Sequence, residues 1–227
     1  MSSLNTNSII VPADKHYEKV FLNASSLDLH FTQEAGSTLK LHILYLHTQA
    51  NKDSTPIAPK NKVTITVEQK GKGCRTEIYG LAFLHGNEQV DMTTNIQHLA
   101  SEGKSQQTMK YVLDDAAQGA FCGRLLIAPD AQQTEAYQTN RNLLLSDKAQ
   151  MRTRPQLEIY ADDVKATHGA TTGQLDESAL FYMQQRGLSP QTARLLLVAA
   201  FMKDVLSTIT DDALRTQLLE LVEPPLY

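Results

Sequence analysis

The chain has 227 residues, 41% of them apolar and 20% charged, with a net charge of -4 and a pI near 6.0. That balance excludes a disordered chain and argues against a nucleic-acid binder, which carries a basic face. The longest apolar run, Leu195 to Met202, falls short of the ~20 residues that a bilayer span needs, so no membrane helix is expected.

From the N-terminus, Met1 to Val11 shows neither a charged leader nor a long apolar stretch, and no signal peptide is expected. Two cysteines, Cys74 and Cys122, are too few for a disulfide framework or an all-cysteine metal site. A cytoplasmic location is the expectation.

Residues 27 to 159 read mostly as strands. Leu39, Leu41, Ile43 and Tyr45 alternate with Lys40, His42 and Leu44, and Val63, Ile65 and Val67 with Thr64, Thr66 and Glu68. Period-2 alternation is the pattern of half-buried strands. Further short strands are expected over Thr76 to Phe83, Gln89 to His98, Ser105 to Leu113 and Ala120 to Ile127, punctuated by glycines at turns. Many short strands fit a sandwich, a barrel or a β-solenoid. Asn140, Asn142, Asp147 and Asp162 sit beside apolar triplets, and the reading places them at corners between stacked coils.

The pattern changes near Gly173. Asp176 and Glu177 open a helix that runs to Arg186 and closes at Gly187. Ser189 and Pro190 read as N-cap and first residue of a second helix. Its stripe is Leu195, Val198, Ala199, Met202, Val205 and Ile209, with Leu195 and Val198 expected in the core. Thr210 to Asp212 begin a third helix, with Leu214, Leu218, Leu221 and Val222 on its apolar side and Pro224 and Pro225 as its stop. The expected division is an N-terminal segment over 1–26, a strand-rich core over 27–173 and a helical unit over 174–227.

Chemistry concentrates between Gln138 and Glu177. His168, before Gly169, is expected at a strand end or turn, where an imidazole can ligate a borderline metal. A surface or hydrogen-bonded histidine is the plain alternative, since no second ligand stands at metal-site spacing. The pairs Asp162–Asp163 and Asp176–Glu177 raise a carbohydrate-active solenoid, whereas a corner and a helix start account for them structurally. No phosphate loop, dinucleotide turn or nucleophile elbow is present, so an enzyme is not expected.

The run Gly119-Ala120-Phe121 through Pro129 is followed by Gln138-Thr139-Asn140-Arg141-Asn142-Leu143-Leu144-Leu145-Ser146, Pro155 through Lys165, His168-Gly169-Ala170-Thr171, Gly173 through Glu177, Leu180-Phe181-Tyr182 and Arg186-Gly187. Together they resemble the SufB/SufD family of iron–sulfur cluster assembly proteins, on the SufD side. The resemblance implies a mainly β fold, a right-handed parallel β-helix followed by a small C-terminal helical domain. It implies a scaffold that pairs with a SufB-like paralogue and docks a SufC-like ATPase, with homodimerisation as a further possibility. It implies no cofactor held stably by the chain alone, only iron or an iron–sulfur cluster transiently in the complex. His168 matches the family's interface histidine and is the candidate metal residue, shared with a partner chain. Phe181, Tyr182, Arg186, Arg194, Phe201 and Met202 are the candidate partner-binding residues. Many family members carry a cysteine two positions before the histidine, where this chain has Ala166. The chain is also short for the family, which implies a compact variant or a truncated form.

Overall fold

A computed structural model describes residues 7–47 and 60–222. Strands β1 (Asn7–Val11), β2 (His16–Leu22), β3 (Ser26–Gln33), β4 (Thr38–Leu46), β5 (Lys60–Gln69) and β6 (Arg75–Leu84) come first. They are followed by β7 (Gln89–His98), β8 (Lys104–Leu113), β9 (Gln118–Ile127), β10 (Thr134–Leu144), β11 (Gln150–Ile159) and β12 (Val164–Gly173). Three helices end the described chain: α1 (Glu177–Gln185), α2 (Pro190–Leu206) and α3 (Asp212–Val222).

Odd and even strands separate into two six-stranded sheets, ordered β1-β3-β5-β7-β9-β11 and β12-β10-β8-β6-β4-β2. Each strand pairs in parallel with the strand one coil away: Lys60 opposes Gln89, and Gln89 opposes Gln118. One turn of the coil therefore takes roughly 30 residues, a solenoid repeat. This is a parallel β-solenoid with a C-terminal helical unit. The winding excludes the sandwich and the barrel, because consecutive strands lie in opposite sheets.

The core follows from alternation. Leu39, Leu41, Ile43 and Tyr45 point inward from β4, and Leu29, Phe31, Val63, Ile65 and Val67 meet them from the other sheet, all buried. Corners are set by a column of left-handed residues, one per coil: Asp14, Gly36, Gly73, Glu102 and Gln133. Each donates its backbone N–H to the next coil, to Ala35, Lys72, Ser101, Gln132 and Asp163 respectively. Glycine adopts this conformation freely, while Asp14, Glu102 and Gln133 carry a strain of about 1 kcal/mol each. The repeated hydrogen bond holds them there.

The outer face of the even-numbered sheet is apolar where the helices lie. Leu44, Leu46, Leu81, Val112 and Leu143 pack under Val198, Met202, Val205, Leu206, Ile209 and Leu218 as a second core. Burying one such side chain stabilises by about 1.5–3 kcal/mol, and this core seats the helices. Polar pins surround it. Lys110 Nζ, on a side chain only 3% exposed, donates to Asp204 Oδ2 at 2.6 Å and to the Phe201 carbonyl at 2.7 Å. His42 stacks on Tyr79, and its Nε2 lies 2.9 Å from Thr208 Oγ1. The Thr208 hydroxyl donates to the Val205 carbonyl, so it accepts from His42, which makes Nε2 the protonated nitrogen. Burial holds the His42 imidazole down at about 4, in keeping with a neutral ring.

Several expectations are corrected. Pairing begins at Asn7 and not at residue 27, because β1 and β2 already run beside β3 and β4. β2 escaped the period-2 reading because, with one neighbour, it buries no clean face. Asn140 and Asn142 are not at corners: both are buried in the middle of β10. Leu195, expected in the core, is 46% exposed, and Leu221 on α3 is 60% exposed. Met202 is 2% exposed and belongs to the second core, which removes it from any partner surface. Ser189 does cap α2 with Pro190 as its first residue, and Asp176 caps α1. Pro224 and Pro225 lie outside the described residues. No helix among the described residues is long and apolar enough to cross a membrane.

Candidate functional site in the terminal coil

The last coil is open. Among the described residues β11 pairs only with β9 and β12 only with β10, so each has one backbone edge without a neighbouring strand there. The core-facing side of that coil is uncovered as well, and every residue of β12 from Thr167 to Gly173 is exposed.

His168 lies in the middle of β12, opposite Gln138 of β10, and not at a strand end or turn. The shift has a local cause: Gly169 and Gly173 look like turn residues, but register with β10 holds both extended. Gln138 is a core-facing position, so parity puts His168 on the same face, together with Val164, Ala166, Ala170 and Thr172. Ala166 narrows what the site can hold. It supplies no thiolate, and no group of three or more metal-binding side chains exists among the described residues. The arrangement is one imidazole on an exposed sheet edge, able to give one ligand to a metal whose others come from elsewhere.

Behind His168 the core turns polar. One column of the even-numbered sheet runs Ile78, Gln107, Gln138, His168. Gln138 Nε2 donates to Gln107 Oε1 at 2.9 Å, and Thr94 Oγ1 from the facing sheet donates to the same oxygen at 3.1 Å. Gly123 faces Gln138 across the coil. A Cβ there would stand 2.2 Å from Gln138 Nε2, so any other residue would push the amide from its present place. Two columns further along, Asn140 and Asn142 exchange side-chain hydrogen bonds at 3.0 and 2.9 Å. Asn142 Nδ2 also reaches the Thr171 carbonyl and Thr172 Oγ1, tying β12 to the body of the solenoid. Period-2 counting from Ala136 would have placed Gln138, Asn140 and Asn142 inside; the corner reading obscured it.

The expected partner residues divide. Phe181 and Tyr182 on α1 are 64% and 59% exposed, with the Arg186 guanidinium 5.1 Å from the Tyr182 ring and one nitrogen donating to its hydroxyl at 2.9 Å. Arg194 is exposed and donates to the Leu145 carbonyl at 3.2 Å, where it anchors α2. Phe201 is half-buried, its ring 4.4 Å from Lys110 Nζ. Between α2 and the ends of β10 and β12 lies a cleft of about 360 Å³ lined by Arg141, Thr171, Asp176, Leu197 and Phe201 among others.

The acids and cysteines have structural places. Asp176 accepts from the Ser178 N–H as an N-cap. Asp162 and Asp163 sit at the corner before β12, where the Asp163 N–H donates to Gln132. Cys74 is buried, with its one S–H shared between the Glu34 and Gly71 carbonyls; burial pushes the thiol up, away from reactivity. Cys122 is half-buried on β9. Arg124 of β9 holds Glu158 of β11 through two contacts of 2.6 and 2.7 Å, which fastens the last coil and keeps the Glu158 carboxyl below its ordinary range.

Residues 29–201 match the model of the SUF system FeS cluster assembly, SufBD core domain. The chain is 37% identical over 165 residues to an iron-sulfur cluster assembly SufBD family protein of Synechocystis sp., covering 73% of this chain and 36% of that protein. It is 35% identical over 154 residues to iron-sulfur cluster assembly protein SufD of Escherichia coli, covering 68% of this chain and 36% of that one. With Protein ABCI7, chloroplastic, of Arabidopsis thaliana it shares 34% over 154 residues, 67% and 32% of the two chains. In each case the aligned part is about a third of the relative's length. The family match runs from β3 through most of α2 and so takes in the open coil and its histidine: this chain belongs to the SufBD core-domain family of the SUF iron–sulfur cluster assembly system.

Proposed function

We propose that the chain is a non-catalytic, SufD-like subunit of a SUF-type assembly complex, working in the cytoplasm. The observation that carries this reading is the open terminal coil, with two free strand edges and His168 exposed on its core-facing side. Free parallel edges are templates for further strands. A SufB-like paralogue with a similar open end would complete the hydrogen bonding and cover the uncapped core. His168 would then give one imidazole to iron or a nascent cluster, the cargo of the complex, and the partner the remaining ligands. Ala166 fits that division, since the chain supplies no thiolate beside the histidine.

The helical unit would receive the SufC-like ATPase. Phe181, Tyr182 and Arg186 form an exposed aromatic and cationic patch, the composition that dominates protein interfaces. Lys110, His42 and the second core fasten the helices to the solenoid, so that movement imposed on them is passed to the sheet. The carboxylates of the carbohydrate-active reading do not converge, and one of them is engaged as a helix cap.

Affinity co-purification with a SufB-like and a SufC-like protein in reducing buffer should recover all three chains. His168→Ala should leave the complex intact and lower its iron and sulfide content. Recovery of the chain as a homodimer only, indifferent to both partners, would refute the reading in favour of a self-paired platform.

A further inference from the structure

Among the described residues six buried polar side-chain atoms lack a partner, five of them in the interior of the solenoid, and Gln107 Nε2 and Gln138 Oε1 are consecutive members of one column. Their arrangement has a direction. Gln138 donates its amide N–H one coil back, to Gln107 Oε1. Gln107 Nε2 has no partner, and the next residue toward the foot of the column, Ile78, offers no acceptor. At the head, Gln138 Oε1 is left as an acceptor with no donor, and the next residue in register is His168. Stacked amides in parallel strands repeat one hydrogen bond per coil, each oxygen accepting from the N–H of the following coil. The residue in register to continue this series is His168, through its imidazole.

We infer that Gln138 is the positioning residue for His168. Its Oε1 accepts one ring N–H, fixes a single neutral tautomer and turns the other nitrogen, with its lone pair, toward whatever closes the coil. Metal-binding histidines are set in this way by an acceptor on the second nitrogen. The chain places that acceptor on a side chain that is 2% exposed, held from behind by Gln107 and Thr94 and given room by Gly123. The role of the amide deepens the reading of His168 as a ligand donor, and rests on it for the use made of the free nitrogen. The ladder itself is a property of the isolated chain.

The test therefore uses the chain alone. Ring-nitrogen chemical shifts of His168, recorded by NMR at alkaline pH where imidazole is neutral, report the tautomer ratio. Gln138→Met keeps the length and volume of the side chain and removes the acceptor, while Gln138→Glu keeps an acceptor. One hydrogen bond biases the ratio about fivefold, so the wild type and Gln138→Glu should show the same enriched tautomer, and Gln138→Met a ratio lower by that factor. A ratio identical in the wild type and Gln138→Met overturns the inference. If Gln138→Met fails to fold, a Gln138→Glu protein with the ratio of free imidazole overturns it equally. Failure of the partners to co-purify would sink the functional reading without touching this measurement.

Discussion

Removing the carboxylate of Asp204 tests how the helical unit is held. Lys110 carries its ammonium on a side chain 3% exposed, with Asp204 Oδ2 at 2.6 Å and the Phe201 carbonyl at 2.7 Å. Asp204→Ala leaves that ammonium with one neutral acceptor. Breaking a fully buried pair on one side costs about 3–5 kcal/mol. Here the Asp204 side chain is 67% exposed, so water reaches the site and moderates the loss. A hydrogen bond to a charged group is worth about 1.5–3 kcal/mol, and we expect about 2 kcal/mol. For a domain of this size that lowers Tm by about 4–8 °C. Lys110→Met removes the charge and keeps most of the volume over Phe201, and should stay within about 1 kcal/mol of wild type. The double variant should match Lys110→Met alone, since no unpaired charge remains. Thermal unfolding of the four proteins reads the cycle, and hydrogen exchange should show α2 and α3 opening first in Asp204→Ala. A change below about 1 °C in Asp204→Ala, or a larger loss in Lys110→Met, refutes the reasoning.

Met202→Ala, at a site 2% exposed, should lose about 2–5 kcal/mol by cavity formation, whereas Leu195→Ala, 46% exposed, should lose about 0.5 kcal/mol or less; urea unfolding that ranks them the other way contradicts the seating of α2. His98 is buried inside the solenoid beside Ser105, and burial lowers its imidazole to about 4 from the unfolded 6.5. The folded state excludes the charged ring, so stability is full above pH 6.5, falls as pH drops towards 4 and levels off below it, a loss of about 3 kcal/mol from this group. His98→Gln should flatten the pH dependence in that window; equal slopes in the two proteins would show that His98 does not supply it.

The strands of the body were legible because one face of each is buried: Val63, Ile65 and Val67, or Leu39, Leu41 and Ile43, repeat with the period of the pleat. The caps of α1 and α2 were legible because Asp176 and Ser189 satisfy backbone donors locally, a demand that does not depend on the rest of the fold. The stripe of α2 was legible as well, and Val198, Ala199, Met202, Val205 and Ile209 are buried along it; what the sequence did not show is where the sheet beneath stops, which leaves Leu195, on the same stripe near the start of the helix, exposed. His168 was found by its motif and misplaced by its neighbour, since Gly169 signals a turn that register with β10 overrides. The amides behind it were hidden for a different reason. A buried Gln or Asn carries no hydrophobic signal, so the burial of Gln138, Asn140 and Asn142 shows only if the period-2 count from Ala136 is carried through β10.

The two kinds of interior in this solenoid answer two physical demands. In the early coils most inward positions are apolar, as with Leu41, Ile43, Ile65 and Val67, and the polar column Gln33, Gln69, His98 lies among them, so burial supplies most of the stability. In the last coil one neighbour is missing. An apolar end with two free strand edges would stack on any similar surface, the hazard that edge strands present. The chain instead ends its columns in Gln138, Asn140, Asn142 and His168, and Ala170 and Thr172 extend them in small or hydroxylated residues. A polar column leaves donors and acceptors that only a matching surface can satisfy, and a mismatched partner bears the cost of burying them unpaired. Affinity for the end of the coil then comes from the backbone edges, while selectivity comes from the side chains behind them. On this argument, replacing Asn140 and Asn142 with leucine would make the end more adhesive and less selective.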